Sequence, residues 1–369
     1  MPGRCAALAV DVRRRGGSAR CRAARRARTG DPPQAGGGAV TLGFETRWVL
    51  VALASYAVVS TAASLLLAAG LRSVLARLVS RSPSPRTTAD RILLLRLLPC
   101  LFGALCAVAA SLAFALFEPR THGEAVGWPF VCAATAGAVL LLLALGRGAR
   151  SALASLAVGE VWSAGSPART PAPLAAREVE ADFPVVALSG LWRPRLVLAR
   201  RVADACSEEE MQAVVAHEMA HLHAHDNVRQ AVLTLCPDLF ALLPAARVLE
   251  RSWREAAERA ADEAATAGDE SRRLALASAL VKVARLAVGP RAPVLPGSTL
   301  LRGEPIAERV RSLLSPPASD ALDRSGVAGL GGSPRGAAGL ALLAVSSALF
   351  AASRPELFEL VEAAIRLGR

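Results

Sequence analysis

Lysine is almost absent from this chain of 369 residues. Of its 43 basic side chains only Lys282 is not arginine. The net charge of +12 therefore reads as part of a bias toward Ala, Gly, Pro and Arg rather than as a binding device, and nucleic-acid binding is not expected. Cysteine is sparse and scattered: seven residues, three of them inside apolar runs, with no CxxC pair. That excludes a disulfide framework and fits small hydrophobes in a reducing or lipid setting. There is one tyrosine, Tyr56, and there are five histidines. What the chain has in abundance is apolar residues, 53% of the total, and most of their excess lies in long runs.

No charged residue occurs from Trp48 to Ala69, from Leu97 to Phe117, from Ala125 to Leu145 or from Gly336 to Ser353. A helix rises about 1.5 Å per residue and the hydrocarbon core is about 30 Å thick, so each run is long enough to span it. The chain thus divides into an Arg/Gly/Ala-rich segment, 1–46; a membrane region, 47–146, with helices over 48–69, 92–117 and 125–145; a large polar segment, 147–335; a fourth span, 336–353; and a tail, 354–369. A further apolar stretch, 231–246, is interrupted by Pro237, Asp238 and Pro244. It reads as a membrane-associated hairpin rather than a crossing.

Arginine placement sets the expected orientation. The connection from Leu71 to Arg91 carries five arginines against Asp90, whereas the connection from Glu118 to Glu124 holds Arg120 between two acids. Positive-inside logic puts the first connection, and with it 147–335, in the cytoplasm of a multi-pass cell-membrane protein. The ten arginines of residues 1–47 oppose this topology, which leaves them outside. That stretch has no apolar core, so it is not a signal peptide. It reads as disorder, or as an extension upstream of a natural start near Val40 or Leu42.

Four of the five histidines fall in "VVAHEMAHLHAHDN", Val214 to Asn227. Ser207 and Glu210 form a capping-box pattern that starts a helix just before them. His217 and His221, four apart, then share one face, with Glu218 about 100° around the axis. This is HExxH, in which two imidazoles bind one zinc ion and the glutamate polarises water. His225 lies about 12 Å along the axis from His217 and His223 faces away, so neither joins the same ion. The third ligand must come from elsewhere. In "EAAERAADEAA" the acids Glu255, Glu258 and Glu263 compete, but only Glu258 has an acid four residues later, Asp262, which is placed to orient a ligand imidazole. The expected set is one Zn²⁺ per chain on His217, His221 and Glu258, with Glu218 as general base.

HExxH followed by a helical ExxxD about forty residues on resembles the gluzincin membrane metallopeptidases. The order of parts is similar to the BlaR/MecR type: three spans, a cytoplasmic zinc-protease domain, then another span. "FPVVALSGLWRPRLVLARRV" (Phe183 to Val202), the Asp226-Asn227 pair and "IAERVRSLL" (Ile306 to Leu314) add to the likeness, which covers about residues 45–350. It implies a multi-span helical bundle with an inserted α+β zinc-peptidase domain, acting on a cytoplasmic or membrane-proximal protein in regulated proteolysis or signalling. HtpX and CAAX prenyl protease types, which share the zinc motif, are the nearest rivals, and a catalytically silent scaffold is the contrasting reading. Only the short tail follows the last span, so a β-lactam sensor is not expected. No histidine follows His225 and the one tyrosine is in a span, so elimination points to Arg309 as the oxyanion donor. Arg195, Leu196, Val197 and Leu198, entered through Pro194, read as an edge strand open to an extended substrate. Substrate, stimulus and oligomeric state are not legible.

Overall fold

The computed structural model describes residues 41–119, 124–163, 165–167, 175–181, 184–190, 194–287, 306–315 and 355–367. The Arg-rich segment up to residue 40 and the apolar run 336–353 lie outside the described residues. A short antiparallel pair, β1 (Thr41–Leu42) with β2 (Glu124–Ala125), stands at one end of three long helices, α1 (Phe44–Ser80), α2 (Pro85–Phe117) and α3 (Trp128–Ser163). All three are long and apolar enough to cross a membrane. Small residues let them pack closely: a Cβ on Gly137 of α3 would sit 2.3 Å from the Leu53 carbonyl oxygen of α1.

The helices outrun the expected spans. At 37 residues α1 is about 55 Å long, nearly twice the thickness of a hydrocarbon core. Its surplus lies past residue 69, where Arg72, Arg77 and Leu71 continue the helix without a breaker. Similarly, the boundary expected at residue 147 falls inside α3, because "ARSALASLA" is made of strong helix formers. The bundle thus extends beyond the apolar windows toward the polar segment.

That segment begins with a four-stranded sheet of β3 (Ser166–Pro167), β4 (Ala176–Val179), β5 (Val186–Ser189) and β6 (Arg195–Ala199), in the spatial order β3-β4-β6-β5. β6 runs parallel to β4 and antiparallel to β5, so Arg195–Leu198 is a central strand with both edges filled, and the reading of an open edge there is corrected. Pro194 precedes the ladder and costs it no donor, while Leu196 to Ala199 are all buried, the uninterrupted apolar run of a strand covered on both faces. Among the described residues, the edge strands of this sheet are β3 and β5.

The sheet packs with α4 (Arg200–Ala205), α5 (Glu208–His223), α8 (Glu270–Leu286) and α9 (Ile306–Leu314) around a core of Leu196, Leu198, Val202, Val214, Leu276 and Leu280. Between α5 and α8 the chain forms α6 (Asp226–Leu235), a 3₁₀ turn (Leu239–Leu242) and α7 (Pro244–Thr266). The prolines of the interrupted stretch act as punctuation: Pro237 follows α6 and Pro244 opens α7. Leu233, Phe240, Ala246, Leu249 and Trp253 pack on Leu71, Ala89 and Ile92 of α1 and α2, while Val228, Val232 and Leu235 stay exposed along one stripe of α6. The last helix, α10 (Pro355–Arg366), sets Val361 and Ile365 against Val51, Phe114 and Phe130 at the β1-β2 end of the bundle.

Ionic contacts fasten this stretch. Arg96 of α2 donates to Asp238 at 2.8 Å, both side chains being buried, and Arg147 of α3 donates to the carbonyls of Cys236 (2.8 Å) and Thr234 (3.4 Å). Asp238 also caps the 3₁₀ turn by accepting from Ala241 N at 3.0 Å. A buried pair loses far more when one partner is removed than when both are, because a lone charge is left without solvent. Asp238→Ala should therefore destabilise the detergent-solubilised protein by about 3 to 5 kcal/mol, and Arg96→Met with Asp238→Leu should recover most of that in thermal unfolding. Equal losses in the single and double variants would contradict this account.

Candidate metal centre

The helix α5 begins as its sequence predicts. Ser207 Oγ accepts from Glu210 N at 3.3 Å, and Glu210 Oε2 accepts from Ser207 N at 2.7 Å. Ser278 and Lys282 of α8 both donate to Glu210 at 2.6 Å, so the lone lysine ties α8 to the first turn of the histidine helix. Burial pushes the Glu210 carboxyl up, but Lys282, Ser278 and the Ser207 amide outweigh it and hold the group below its ordinary range. With its first turn pinned, α5 presents His217 and His221 to the interior.

Their Nε2 atoms lie 3.2 Å apart, with the rings at 85° to each other. From α7, Glu258 brings Oε2 to 3.5 Å from His217 Nε2 and Oε1 to 3.6 Å from His221 Nε2. One ligand atom from each residue falls within 4.8 Å of the others, and all three residues are buried. An edge of about 3.3 Å belongs to a tetrahedron with bonds of about 2.05 Å, so the spacing suits one zinc ion and the donor set suits its chemistry. The competing acids stand elsewhere: Glu255 is half-buried and Glu263 exposed. His223 and His225 are exposed and take no part.

Each imidazole is held from behind. Asp262 Oδ1 lies 2.9 Å from His217 Nδ1, and Asp226 Oδ2 lies 2.9 Å from His221 Nδ1. A carboxylate on Nδ1 favours the tautomer that carries its proton there and leaves the Nε2 lone pair for a cation. Asp226 has no such role in the sequence reading, for a geometric reason. On a continuous helix the fifth residue after His221 would point about 140° away from it. The chain instead turns at His225, whose φ of 57° is left-handed, and α6 starts in a new direction that brings Asp226 back. The signal available was that turn-prone "HAHDN" ending, where Asn227 also donates to the carbonyls of Leu188 (3.4 Å) and Gly190 (3.5 Å).

Arg309 of α9 is fully committed. Its Nε and Nη2 donate to Asp262 at 2.9 and 2.6 Å, and Nη1 lies 2.9 Å from Glu258 Oε2. The expectation of an oxyanion donor meets this geometry badly, since every guanidinium nitrogen faces a carboxylate. Arg309 instead grips Glu258 and Asp262, the carboxylate that faces His217. Burial lowers the guanidinium's affinity for its proton, but Glu258 and Asp262 more than restore it. Asp262, raised by burial, is pulled down to about 2 by His217 and Arg309. Asp226 is likewise raised by burial and lowered by more through His221 and Arg86. Glu218, between the two imidazoles in sequence, is only 1% exposed and close enough to Arg309 for its charge to be felt there.

Apolar helices of membrane-crossing length are thus joined to a buried His-His-Glu cluster that could hold a metal ion. Residues 134–313 match the family described as BlaR1 peptidase M56, which supports a membrane metallopeptidase of the BlaR1/MecR type. No curated protein and no solved structure matches it.

Burial lowers the His217 pKa, but hydrogen bonding to Asp262 and Glu258 overcomes it and brings the ring to about 9. A cation on Nε2 therefore competes with a proton, and the sign follows: binding weakens as pH falls below about 9. Apparent zinc affinity should drop about tenfold per unit between pH 8 and pH 6 in a chelator competition. Asp262→Asn should weaken binding by about 10 to 100-fold and flatten that slope, because the main support of the imidazolium is gone. A slope unchanged in the variant would count against this assignment.

Proposed function

We propose that the chain is a zinc-dependent endopeptidase with one Zn²⁺ held by His217, His221 and Glu258, cutting a protein at or near the membrane surface. The observation that carries this reading is the convergence of two Nε2 atoms and one carboxylate, each imidazole backed by its own aspartate. Zinc, when bound there, supplies Lewis acidity toward a peptide carbonyl and lowers the pKa of water from about 15.7 to about 7. Glu218 takes a proton from the attacking water as its oxygen bonds to the carbonyl carbon. It returns that proton to the departing amine nitrogen as the C–N bond breaks. Arg309 and Asp262 keep Glu258 and His217 in place. An extended substrate adds to β5, the edge strand that Asn227 ties to the end of the histidine helix, rather than to the central β6.

Topology and location belong to the same proposal. Arg86, within the basic connection at the start of α2, touches Asp226 beside the proposed metal ligands, so the site shares the side of the membrane on which that connection lies. Positive-inside logic makes that side the cytoplasm. α9 packs in the metal domain, whereas α10 packs at the β1-β2 end of the bundle, and the run 336–353 between them is proposed as the fourth crossing. The BlaR1-type match favours regulated proteolysis in signalling over the quality-control role of HtpX or CAAX types. A silent scaffold would have no need of an acid between the two histidines, and Glu218 is present there and buried.

Purified full-length protein should bind one zinc ion and cleave casein or itself. Glu218→Gln should keep the metal and lose about 10² to 10⁴ in rate. Retained cleavage by that variant, or no stoichiometric zinc in the wild type, would overturn the proposal.

A further inference from the structure

The tip of the membrane hairpin reaches the metal centre. Arg86, in the first turn of α2, donates through Nη1 to Asp226 Oδ1 at 3.3 Å and through Nη2 to the Ala224 carbonyl at 3.3 Å. One guanidinium thus holds both sides of the left-handed turn that ends α5. Asp226 uses its other oxygen for His221 Nδ1 at 2.9 Å. Around this contact the charges alternate: Arg86 lies 3.4 Å from Asp90, Asp90 accepts from Arg229 of α6 at 2.6 Å, and Arg229 stands 3.9 Å from Asp226. Two arginines and two aspartates, one of each on α2 and on α6, are arrayed so that every like-charged pair is separated by opposite charges.

A single exposed ion pair contributes little, but here the pairs are partly buried, linked, and directed at one atom that a ligand ring depends on. α2 is continuous from this turn into its apolar window, so no flexible loop separates the membrane helix from the contact. The Ser84 cap, which accepts from Thr87 N at 3.2 Å, and Pro85 at the first helical position fix where Arg86 projects.

We propose that Arg86 is a positioning residue for the metal centre, acting through Asp226 on His221, so that the placement of the α1-α2 membrane hairpin sets the geometry and affinity of the zinc site. The inference rests on the reading of the His217-His221-Glu258 cluster as a zinc site. It goes beyond that reading by making the membrane helices part of the site's construction, a physical route by which a displacement in the bilayer reaches the metal.

The test uses full-length protein in detergent or nanodiscs, with Zn²⁺ affinity measured by chelator competition and geometry by the visible spectrum of the Co²⁺-substituted protein. Arg86→Ala should weaken zinc by about three- to tenfold, less than loss of an aspartate in direct contact with a ligand ring, and should shift the cobalt bands. Arg86→Lys should recover part of both, and Arg91→Ala, whose partners are Arg81 O and Ser82 Oγ, should change neither. Arg86→Ala combined with Asp226→Asn should be little worse than Asp226→Asn alone, since both act on one ring. A purely structural role would lower thermal stability while leaving affinity and spectrum at wild-type values, and that result, or additive losses, overturns the proposal. Should Arg86→Ala not fold, Asp90→Asn loosens the same array and is read by the same criteria. A wild type that binds no metal would sink the zinc reading itself, whereas a metal-bound wild type with an indifferent Arg86→Ala sinks only this inference.

Discussion

The candidate site depends on carboxylates placed behind imidazoles. Two histidines on one helix face are free to rotate about their side-chain bonds, and a cation sees a pair of ligands only if both Nε2 atoms point to one place. Asp262 and Asp226 remove that freedom by facing the two Nδ1 atoms at 2.9 Å. Each aspartate is then held by cations of its own: Arg309 for Asp262, Arg86 and Arg229 for Asp226. Charge alternates outward from the metal position, and this is how so many ionisable groups tolerate burial within one small region.

The anchoring elements come from widely separated parts of the polypeptide. Asp262 and Glu258 lie on α7, Arg309 on α9, Arg86 and Asp90 on the second apolar helix. α7 itself is seated on α1 and α2 through Leu249 and Trp253, and the segment before it is pinned by Arg96 and Arg147. The metal helix is therefore not a separable module that happens to be tethered. Glu258 stands on a helix that packs on the α1-α2 hairpin, and Asp226, which faces His221, is held from the same hairpin's tip.

Arg309 shows how elimination can find a residue and misjudge its work. Lacking a downstream histidine or a tyrosine outside the spans, the chain offers a guanidinium as the remaining donor, and the one chosen does reach the site. Once there it meets two carboxylates, and each of its three nitrogens is engaged with Asp262 or Glu258. The strand Arg195–Leu198 is a parallel case. Its proline suggested an edge, while four consecutive buried apolar residues were the better sign of a central strand.

The sequence by itself determined what depends on local spacing. The HExxH pair, the capping box at Ser207, the choice of Glu258 through its partner four residues on, and the three described apolar helices all follow from helical periodicity and run length, which need no knowledge of distant contacts. Tertiary structure alone decided the remainder: that Asp226 turns back to His221, that Arg86 grips it, that Asp238 buries against Arg96, and that β5 rather than β6 lies at an edge of the sheet. Each of these joins residues far apart in the chain or hinges on one left-handed residue, His225, and periodicity carries no information across a break in the helix or between one element and another.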